Sequence, residues 1–470
     1  MSDKNVKTEE TFEELHDKPI HQLTRRELLG TGLINFSAAF TLPPLLSILA
    51  QHNVAQAQDI VCAKGGNPSL VPFIHIDLAG GAALSANFVP QDEALQPLKS
   101  YTLMGMGRTP NLRYAFANNA PFFASGNQSG ILLSLETELT GTGVFENTVF
   151  SGVCVRTRDD SSQNPYNMTG MLTKAGRNGF ILPDLGANRN NQAFVSPGVP
   201  LTVGSFNDVV GAISVNGSLG RLSKTQQEKL FKTISNLSSS QGKSLASFSG
   251  GEQMQKLIKC ATESNAEVVV NGADNVDPVN NADVANVWGI NANTSKSSRD
   301  YVFATMVYNT ALNNTASATL SLGGYDYHNN TRSSGDQRDA AAGIVIARVL
   351  RTLAVLQKKA FVIVTTDGAV NCPSDENTGV WSSDRGAAGC LYMMAYDPLK
   401  PPSASSYQLG HFNAGQAADT TSAIGGTPER AIAGIFANYL NFCGQLGQLE
   451  SVAPRTFSQQ ELEKVLIISG

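Results

Sequence analysis

The sequence predicts an α/β protein with a mostly parallel central sheet covered by helices on both faces, a three-layer α/β/α sandwich. Three consecutive segments carry this prediction: a strand at 318–322, an amphipathic helix at 334–358 and a strand at 360–366. The last strand contains the unbroken apolar run FVIV, which is typical of a central parallel strand. Strand, helix and strand in this order form a βαβ unit with a right-handed crossover.

Local patterns predict the other elements. Residues 71–78 read as a buried strand that ends in the turn at 79–81, which contains two glycines, and a second strand is predicted at 148–155. A late helix should begin at Pro428, because Thr427 can cap it, and should run to Phe442. Apolar spacing predicts further helices at 228–237, 254–261 and 301–312.

The first 57 residues have the organisation of a signal peptide for the twin-arginine export route. The sequence TRRELLG at 24–30 resembles the twin-arginine signature closely, and a weakly apolar run follows it. The sequence AQA at 55–57 supplies the small-x-small site that signal peptidases cleave. We therefore predict a leader at 1–57, the twin-arginine translocase as export partner, and a mature chain in the periplasm or outside the cell.

A retained membrane anchor is the alternative interpretation of the run at 28–50, which is almost long enough to cross a bilayer. Asn35 and the pair Pro43-Pro44 weaken that alternative. The mature chain, 58–470, is predicted to have no stable membrane span. It should form a single domain with a helical insertion, rich in Asn and Ser, around 222–313.

Composition excludes several classes of protein. Hydrophobic residues make up 41% of the chain, which is enough for a substantial core, and the formal net charge is −5. We find no basic stripe of the kind that nucleic-acid binding needs. The Gly-x-Ser-x-Gly elbow, the Walker loop and the His-Glu-x-x-His helix are also missing from the sequence.

Six cysteines suit an exported protein, since disulfides persist in oxidising compartments. They form no CxxC pair, which argues against zinc-ribbon and thioredoxin motifs. Cys372 and Cys390 bracket a polar loop, and we predict a disulfide between them.

Acidic residues follow three of the predicted strands. Asp77 closes the first strand, Asp326 follows the strand at 318–322, and Asp367 comes directly after the strand at 360–366. In an open parallel sheet the ligand site lies beyond the carboxyl ends of the strands, so these carboxylates are expected to converge. Converging carboxylates repel one another unless a cation lies between them, and a divalent metal is the commonest solution.

Two histidines lie beside these acids. His75 shares a strand face with Asp77, and His328 lies two residues beyond Asp326. Asp and His at strand ends suit zinc, manganese or magnesium. The alternative is structural, because a strand-end Asp often ties a turn and a strand His is often a satisfied core residue. For His75 we favour this structural interpretation.

The stretch at 323–330 reads GGYDYHNN and resembles the Gly-Gly-Trp-Asp-Thr-His signature of the DUF1501 family, a branch of the alkaline phosphatase and sulfatase superfamily. Looser similarity runs along most of the mature chain. It covers the turn at 80–81, NFVP at 87–90, RDDS at 158–161, the segment 362–368 and SDRG at 383–386.

The resemblance implies an alkaline-phosphatase-like sandwich in which Asp and His at strand ends hold metal ions for phosphoryl or sulfuryl transfer. Asp384 would be the acid of the family's Asp-His-Gly motif, but the histidine of that motif is Arg385 here, and Arg cannot ligate a metal. Ala83 stands at an acidic position of the family. The candidate metal ligands are Asp77, Asp326, His328, Asp367 and Asp384.

A metal-assisted hydrolase also needs an activated hydroxyl or a bound water as nucleophile. The superfamily uses a Ser or Thr at a helix start, for which Ser129 and Ser161 are the candidates. Arg385 has a second interpretation as an anion clamp, because its planar guanidinium suits phosphate or sulfate. The alternative for Arg385 is a surface salt bridge with Asp384 or a neighbour.

Two functions therefore stay open. The first is an exported, metal-dependent hydrolase that acts on small anionic esters of phosphate or sulfate. The second is a non-catalytic envelope or periplasmic protein that uses the same sandwich as a binding or assembly scaffold, which the residues Ala83 and Arg385 favour. Analogy at the level of the fold does not decide between them.

Overall fold

The computed structural model describes residues 70–115, 120–124, 129–157, 168–179, 181–186, 200–213, 276–327, 332–373 and 380–470, and a few single positions at 126 and between 223 and 236. The predicted leader and the predicted helix at 254–261 lie outside these residues. Half of the predicted helix at 228–237 is described, at positions 229, 230, 232, 233 and 236, and these positions are helical.

Seven strands form a central sheet, and three pairs of short strands lie outside it. The central strands are β1 (Phe73–Leu78), β4 (Thr148–Val155), β5 (Leu185–Gly186), β6 (Ser317–Leu322), β7 (Ala360–Thr366), β10 (Gly389–Tyr396) and β12 (Gln408–Leu409). The paired short strands are β2 (Leu112–Ala115) with β3 (Ala120–Phe123), β8 (Val370–Asn371) with β9 (Ser382–Asp384), and β11 (Ser403–Ala404) with β13 (Ile468–Ser469).

The central sheet is mostly parallel, as the sequence predicted. Its strand order is β12-β4-β10-β7-β1-β6-β5. Strand β10 runs antiparallel to both of its neighbours, β4 and β7, and the other neighbouring pairs are parallel. The predicted strands at 71–78, 148–155, 318–322 and 360–366 are confirmed as β1, β4, β6 and β7.

The predicted βαβ unit exists, but its two strands are not neighbours. Strand β1 lies between β6 and β7 and pairs with both, with Phe73 opposite Ser317 on one side and Phe361 on the other. The crossover between β6 and β7 therefore passes over β1. Because β1 is flanked on both sides by parallel strands, the carboxyl ends of β6, β1 and β7 lie side by side.

Helices cover the two faces of the sheet. They are α1 (Gly130–Leu139), α2 (Thr169–Lys174), α3 (Phe206–Ile213), α4 (Ala282–Trp288), α5 (Arg299–Ala311), α6 (Arg332–Val355), α7 (Pro428–Phe442), α8 (Leu449–Val452) and α9 (Gln459–Val465).

Alternating side chains of β1 divide the core into two clusters. Ile74 and Ile76 pack in the cluster that contains residues of α1, α4, α5 and α6. Phe73 points the other way and packs in the cluster that contains residues of α2, α7, α8 and α9. Burial of each such large apolar side chain contributes roughly 1.5–3 kcal/mol to folding. His75 and Asp77 follow Phe73 at spacings of two, so they share its face.

The late helix α7 begins and ends as predicted. The side chain of Thr427 accepts the backbone N–H of Arg430, and Pro428 occupies the first turn. A cap of this kind stabilises a helix by about 1 kcal/mol. The long helix predicted at 334–358 and the helix predicted at 301–312 are confirmed as α6 and α5, with bounds shifted by one to three residues.

Helices α4 and α5, in the second half of the predicted insertion, belong to the helical layer on α6. The indole N–H of Trp288 donates to the Thr352 hydroxyl at 2.9 Å, and Arg348 pairs with Asp300 at 3.2 Å. No helix among the described residues is long and apolar enough to cross a membrane.

The predicted disulfide between Cys372 and Cys390 is wrong. Both residues are buried, and no disulfide joins them. Cys372 follows β8, where its backbone N–H donates to the carbonyl of Leu103, whereas Cys390 lies in β10 directly opposite Cys154 of β4. The loop spacing suggested the bridge, but the residue opposite Cys390 in the sheet is Cys154.

Candidate functional site

The ends of several strands meet at one edge of the central sheet. Strands β1, β4, β6, β7 and β12 all finish there, and the antiparallel strand β10 begins there. The residues that this edge presents are those at 79–81 after β1, 323–326 after β6, Asp367 after β7, 385–388 before β10 and His411 after β12.

Asp367 holds the glycine turn that follows β1. Its Oδ1 oxygen accepts the backbone N–H of Gly80 at 2.9 Å and that of Gly81 at 3.0 Å. The neighbouring Thr366 hydroxyl accepts the N–H of Ala82 at 2.7 Å. The Oδ1 oxygen of Asp367 therefore has a structural role in this turn.

Asp77 lies beside Asp367, at the ends of two adjacent parallel strands. Its side chain is buried, and its Oδ2 oxygen accepts a hydrogen bond from Ser321 at 3.2 Å. Burial raises the pKa of Asp367, and the negative charge of Asp77 raises it further, although the N–H donors of the turn act in the opposite direction. Two carboxylates that interact in this way favour a proton or a cation between them.

Asp326 is exposed and lies against the same turn. The backbone N–H of Tyr325 donates to the carbonyl of Ala79 at 3.1 Å. Gly80 has a φ of +115°, and a Cβ there would come within 2.8 Å of the Asp326 backbone nitrogen. A glycine is needed for both reasons, and the close approach places Asp326 on the turn that Asp367 holds.

His75 is a satisfied core residue. Its Nε2 lies 2.7 Å from the Thr365 hydroxyl, and Nδ1 lies 3.4 Å from that of Thr319. Burial lowers the pKa of His75 to about 4, against the smaller opposing effect of Asp77, so the ring is neutral near pH 7. These contacts agree with the structural interpretation that the sequence favoured.

Arg385 lies close to Asp367 along the edge. Its backbone N–H donates to the carbonyl of Ala369, two residues after Asp367, and its Nη2 donates to the carbonyl of Gly415 at 2.8 Å. Its Nη1 is buried and has no hydrogen-bond partner among the described residues. Burial lowers the pKa of the guanidinium from its usual value. Asp384 pairs with Val370 through the backbone, and the structure does not describe its side chain.

His411 follows β12 at the same edge and is not among the residues predicted for the site. Its Nε2 lies 3.6 Å from the Asp419 carboxylate. The loop between them packs on the segment after Arg385, since the N–H of Ala418 donates to the carbonyl of Ala387 at 2.8 Å. His411 is one of three histidines in the predicted mature chain, but no strand was predicted before it, so its position at this edge was not foreseen.

Ser129 is a buried helix cap. Its hydroxyl accepts the N–H of Leu132 and donates to Asn87 at 3.2 Å. Asn87 also donates to Asp339 of α6 at 2.6 Å, and burial raises the pKa of Asp339 to about 8. These bonds leave Ser129 poorly placed to act as a nucleophile. The other candidate, Ser161, lies outside the described residues, as does His328.

The structure thus brings Asp77, Asp326 and Asp367 to one edge of the sheet, and a backbone hydrogen bond links Arg385 to Ala369, two residues after Asp367. Among the described residues, which include neither His328 nor the Asp384 side chain, no three His, Cys, Asp or Glu side chains lie close enough to hold a metal as they stand.

Comparisons of the chain with protein-family models, with curated proteins and with solved structures found no match. The resemblance to the DUF1501 family therefore stays a prediction from the motif at 323–330.

Proposed function

We propose that this protein is an exported, metal-dependent hydrolase of phosphate or sulfate esters, with the alkaline-phosphatase-like sandwich that the DUF1501 resemblance implies. The observation that carries the proposal is the carboxylate pair of Asp77 and Asp367 at the ends of adjacent parallel strands, with Asp326 on the same glycine turn. Ligand sites of open α/β sheets lie at this kind of edge.

The carboxylate pair suits a hard or borderline cation. Two buried negative charges side by side are unfavourable unless a proton or a cation compensates them. Asp77, Asp326 and Asp367 would hold zinc, manganese or magnesium once their side chains close around the ion, since as they stand they lie too far apart to do so. His328 and Asp384 are further candidate ligands. A bound metal would polarise an oxygen of the ester and lower the pKa of a bound water.

Arg385 would bind the anionic group of the substrate. Its guanidinium is held on one side by the carbonyl of Gly415, and its Nη1 has no partner among the described residues. A half-buried cation with an unused N–H group favours an anion such as phosphate or sulfate, which a planar guanidinium recognises through two parallel hydrogen bonds. Its backbone link to Ala369 keeps it near Asp367.

The alternative is a binding or assembly scaffold without catalysis, and two observations favour it. Ala83 is fully buried in the core where the family pattern has an acid, so that position offers no ligand. One oxygen of Asp367 is already used to hold the turn at 80–81. A degenerate site could retain Asp367 for this structural purpose alone.

The mature protein, recovered from the periplasm, tests the two functions. We expect elemental analysis to find bound metal, and chromogenic phosphate or sulfate esters to be hydrolysed. Asp326→Ala should abolish both, and it should fold because Asp326 is exposed. The matched control is Glu93→Ala, which removes an exposed acid outside the turn and should change neither result. A folded wild-type protein with no metal and no hydrolysis would establish the scaffold instead.

A further inference from the structure

Cys154 and Cys390 face each other across two strands of the central sheet. They are register partners in the antiparallel pair of β4 and β10, and each is at most 1% exposed. The two side chains belong to the same apolar cluster, so they point to the same face of the sheet. They are 236 positions apart in the sequence, which is why no spacing rule suggests the pair.

The backbone shows which kind of cross-strand position the pair occupies. The N–H of Gly152 in β4 donates to the carbonyl of Tyr407, on the side away from β10. Because N–H direction alternates along a strand, the N–H of Cys154 also points away from β10. Cys154 and Cys390 are therefore a non-hydrogen-bonded pair, in which the Cα atoms lie about 4.5 Å apart and the side chains approach closely. That separation falls inside the range that disulfides span.

We propose that Cys154 and Cys390 form a disulfide that fastens β4 to β10 when the sheet assembles under oxidising conditions. Cys390 is the second residue of β10, and the strand begins four residues after Arg385. The bond would thus fix the edge of the sheet next to the segment that carries Arg385. This proposal does not depend on the hydrolase function.

The oxidant is a disulfide of low molecular weight or of a partner protein. One cysteine thiolate attacks the oxidant, forms a mixed disulfide and releases one thiol. The second cysteine then attacks the mixed disulfide at the protein sulfur, which closes the bond between Cys154 and Cys390 and releases the second thiol. Two electrons and two protons pass from the protein thiols to the oxidant.

Burial determines when this reaction can occur. The apolar surroundings raise the pKa of both thiols, so the folded protein holds little thiolate and offers no path to an oxidant. The bond should therefore form quickly while the sheet is still assembling and slowly once it is complete.

Peptide mapping of the full chain tests the proposal. The protein is reduced and denatured, refolded in a mixture of reduced and oxidised glutathione, denatured again with N-ethylmaleimide and digested. We expect one cross-linked product that joins the Cys154 and Cys390 peptides. Native reduced protein in the same mixture should form this product far more slowly. Alkylation of both residues after refolding, or a bond from either one to another cysteine, would overturn the proposal.

Thermal unfolding provides a second measurement. The oxidised protein should unfold at a temperature on the order of 5 °C above that of the reduced protein, because the bond closes a long loop of the unfolded chain. The difference should disappear in the Cys154→Ala/Cys390→Ala protein and persist in Cys443→Ala, whose thiol packs against the other cluster. Its persistence in the double variant would contradict the proposed pair even if that variant is destabilised.

Discussion

Asp367 and Gly80 are 287 positions apart in the sequence, and the carboxylate of Asp367 accepts the backbone N–H of Gly80 at 2.9 Å. This hydrogen bond joins the end of β7 to the end of β1. The same side chain therefore has a structural role that is observed and a ligand role that we propose. Substitutions that keep its shape but remove its charge can separate the two.

Asp367→Asn should leave the fold intact and abolish metal binding and hydrolysis. The amide oxygen can still accept the N–H groups of Gly80 and Gly81, so the free energy of unfolding should stay within about 1 kcal/mol of wild type. Asp367→Ala leaves both N–H groups without this acceptor and should lower the free energy of unfolding by roughly 2–3 kcal/mol. Urea unfolding and elemental analysis measure the two effects. Full activity in Asp367→Asn would show that its charge has no catalytic role.

Gly80→Ala should destabilise the protein more than Gly141→Ala does. Both glycines have positive φ angles, +115° and +77°, so each substitution introduces backbone strain of about 1 kcal/mol. A Cβ at Gly80 would also meet the backbone of Asp326, whereas at Gly141 nothing lies within 4 Å. We expect Gly80→Ala to lower the free energy of unfolding, measured in urea, by at least about 2 kcal/mol. Equal effects at the two positions would mean that the turn can move away from Asp326.

Asp339 should make the protein less stable as the pH rises. Burial raises its pKa in the folded state to about 8, above the value of about 3.9 in unfolded chains, so the folded form binds the proton more tightly. By linkage, the resulting stabilisation is complete below about pH 4 and is lost as the pH rises through about 8.

Asp339→Asn is the test of this assignment. The amide can still accept the Asn87 hydrogen bond but carries no titrating proton. We expect urea unfolding midpoints to fall between about pH 4 and pH 8 in wild type and to fall much less in Asp339→Asn. Parallel pH profiles of the two proteins would assign the pH dependence to other groups.

Arg385→Ala should weaken the binding of inorganic phosphate by about tenfold or more, since a hydrogen bond to a charged group contributes about 1.5–3 kcal/mol. Arg385→Lys should restore little of it, because a lysine cannot form two parallel bonds. Isothermal titration calorimetry measures the affinity. Arg351→Ala is the matched control: this arginine lies near the far end of α6 and pairs with Glu138. Equal affinities in all three variants and in wild type would exclude Arg385 from the anion site.

The elements with strong local signals were predictable from the sequence. Strand β7 has an unbroken apolar run, and helix α7 has a cap at Thr427 and a proline at its start, so both were placed with the bounds that the structure has. These signals depend on neighbouring residues only. Strand order depends on contacts between distant segments. The sequence therefore could not show that β1 lies between β6 and β7 or that β10 runs antiparallel.

The candidate site was predictable to a similar extent. Aspartates after parallel strands are expected at one edge, and Asp77, Asp326 and Asp367 are found there. The use of one Asp367 oxygen by the turn at 80–81 is a contact between distant segments, which spacing cannot reveal. The disulfide prediction failed for the same reason, because only the register of β10 with β4 shows that Cys390 lies opposite Cys154.

The position of β1 has a consequence for how the chain is synthesised. This strand is made early, but its two partners begin at Ser317 and Ala360, more than 240 residues later. A nascent chain on the ribosome therefore carries an apolar central strand with neither neighbour until most of the protein has emerged. Such long-range pairing delays assembly of the sheet and prolongs exposure of that strand, so completion of folding must wait for the last third of translation.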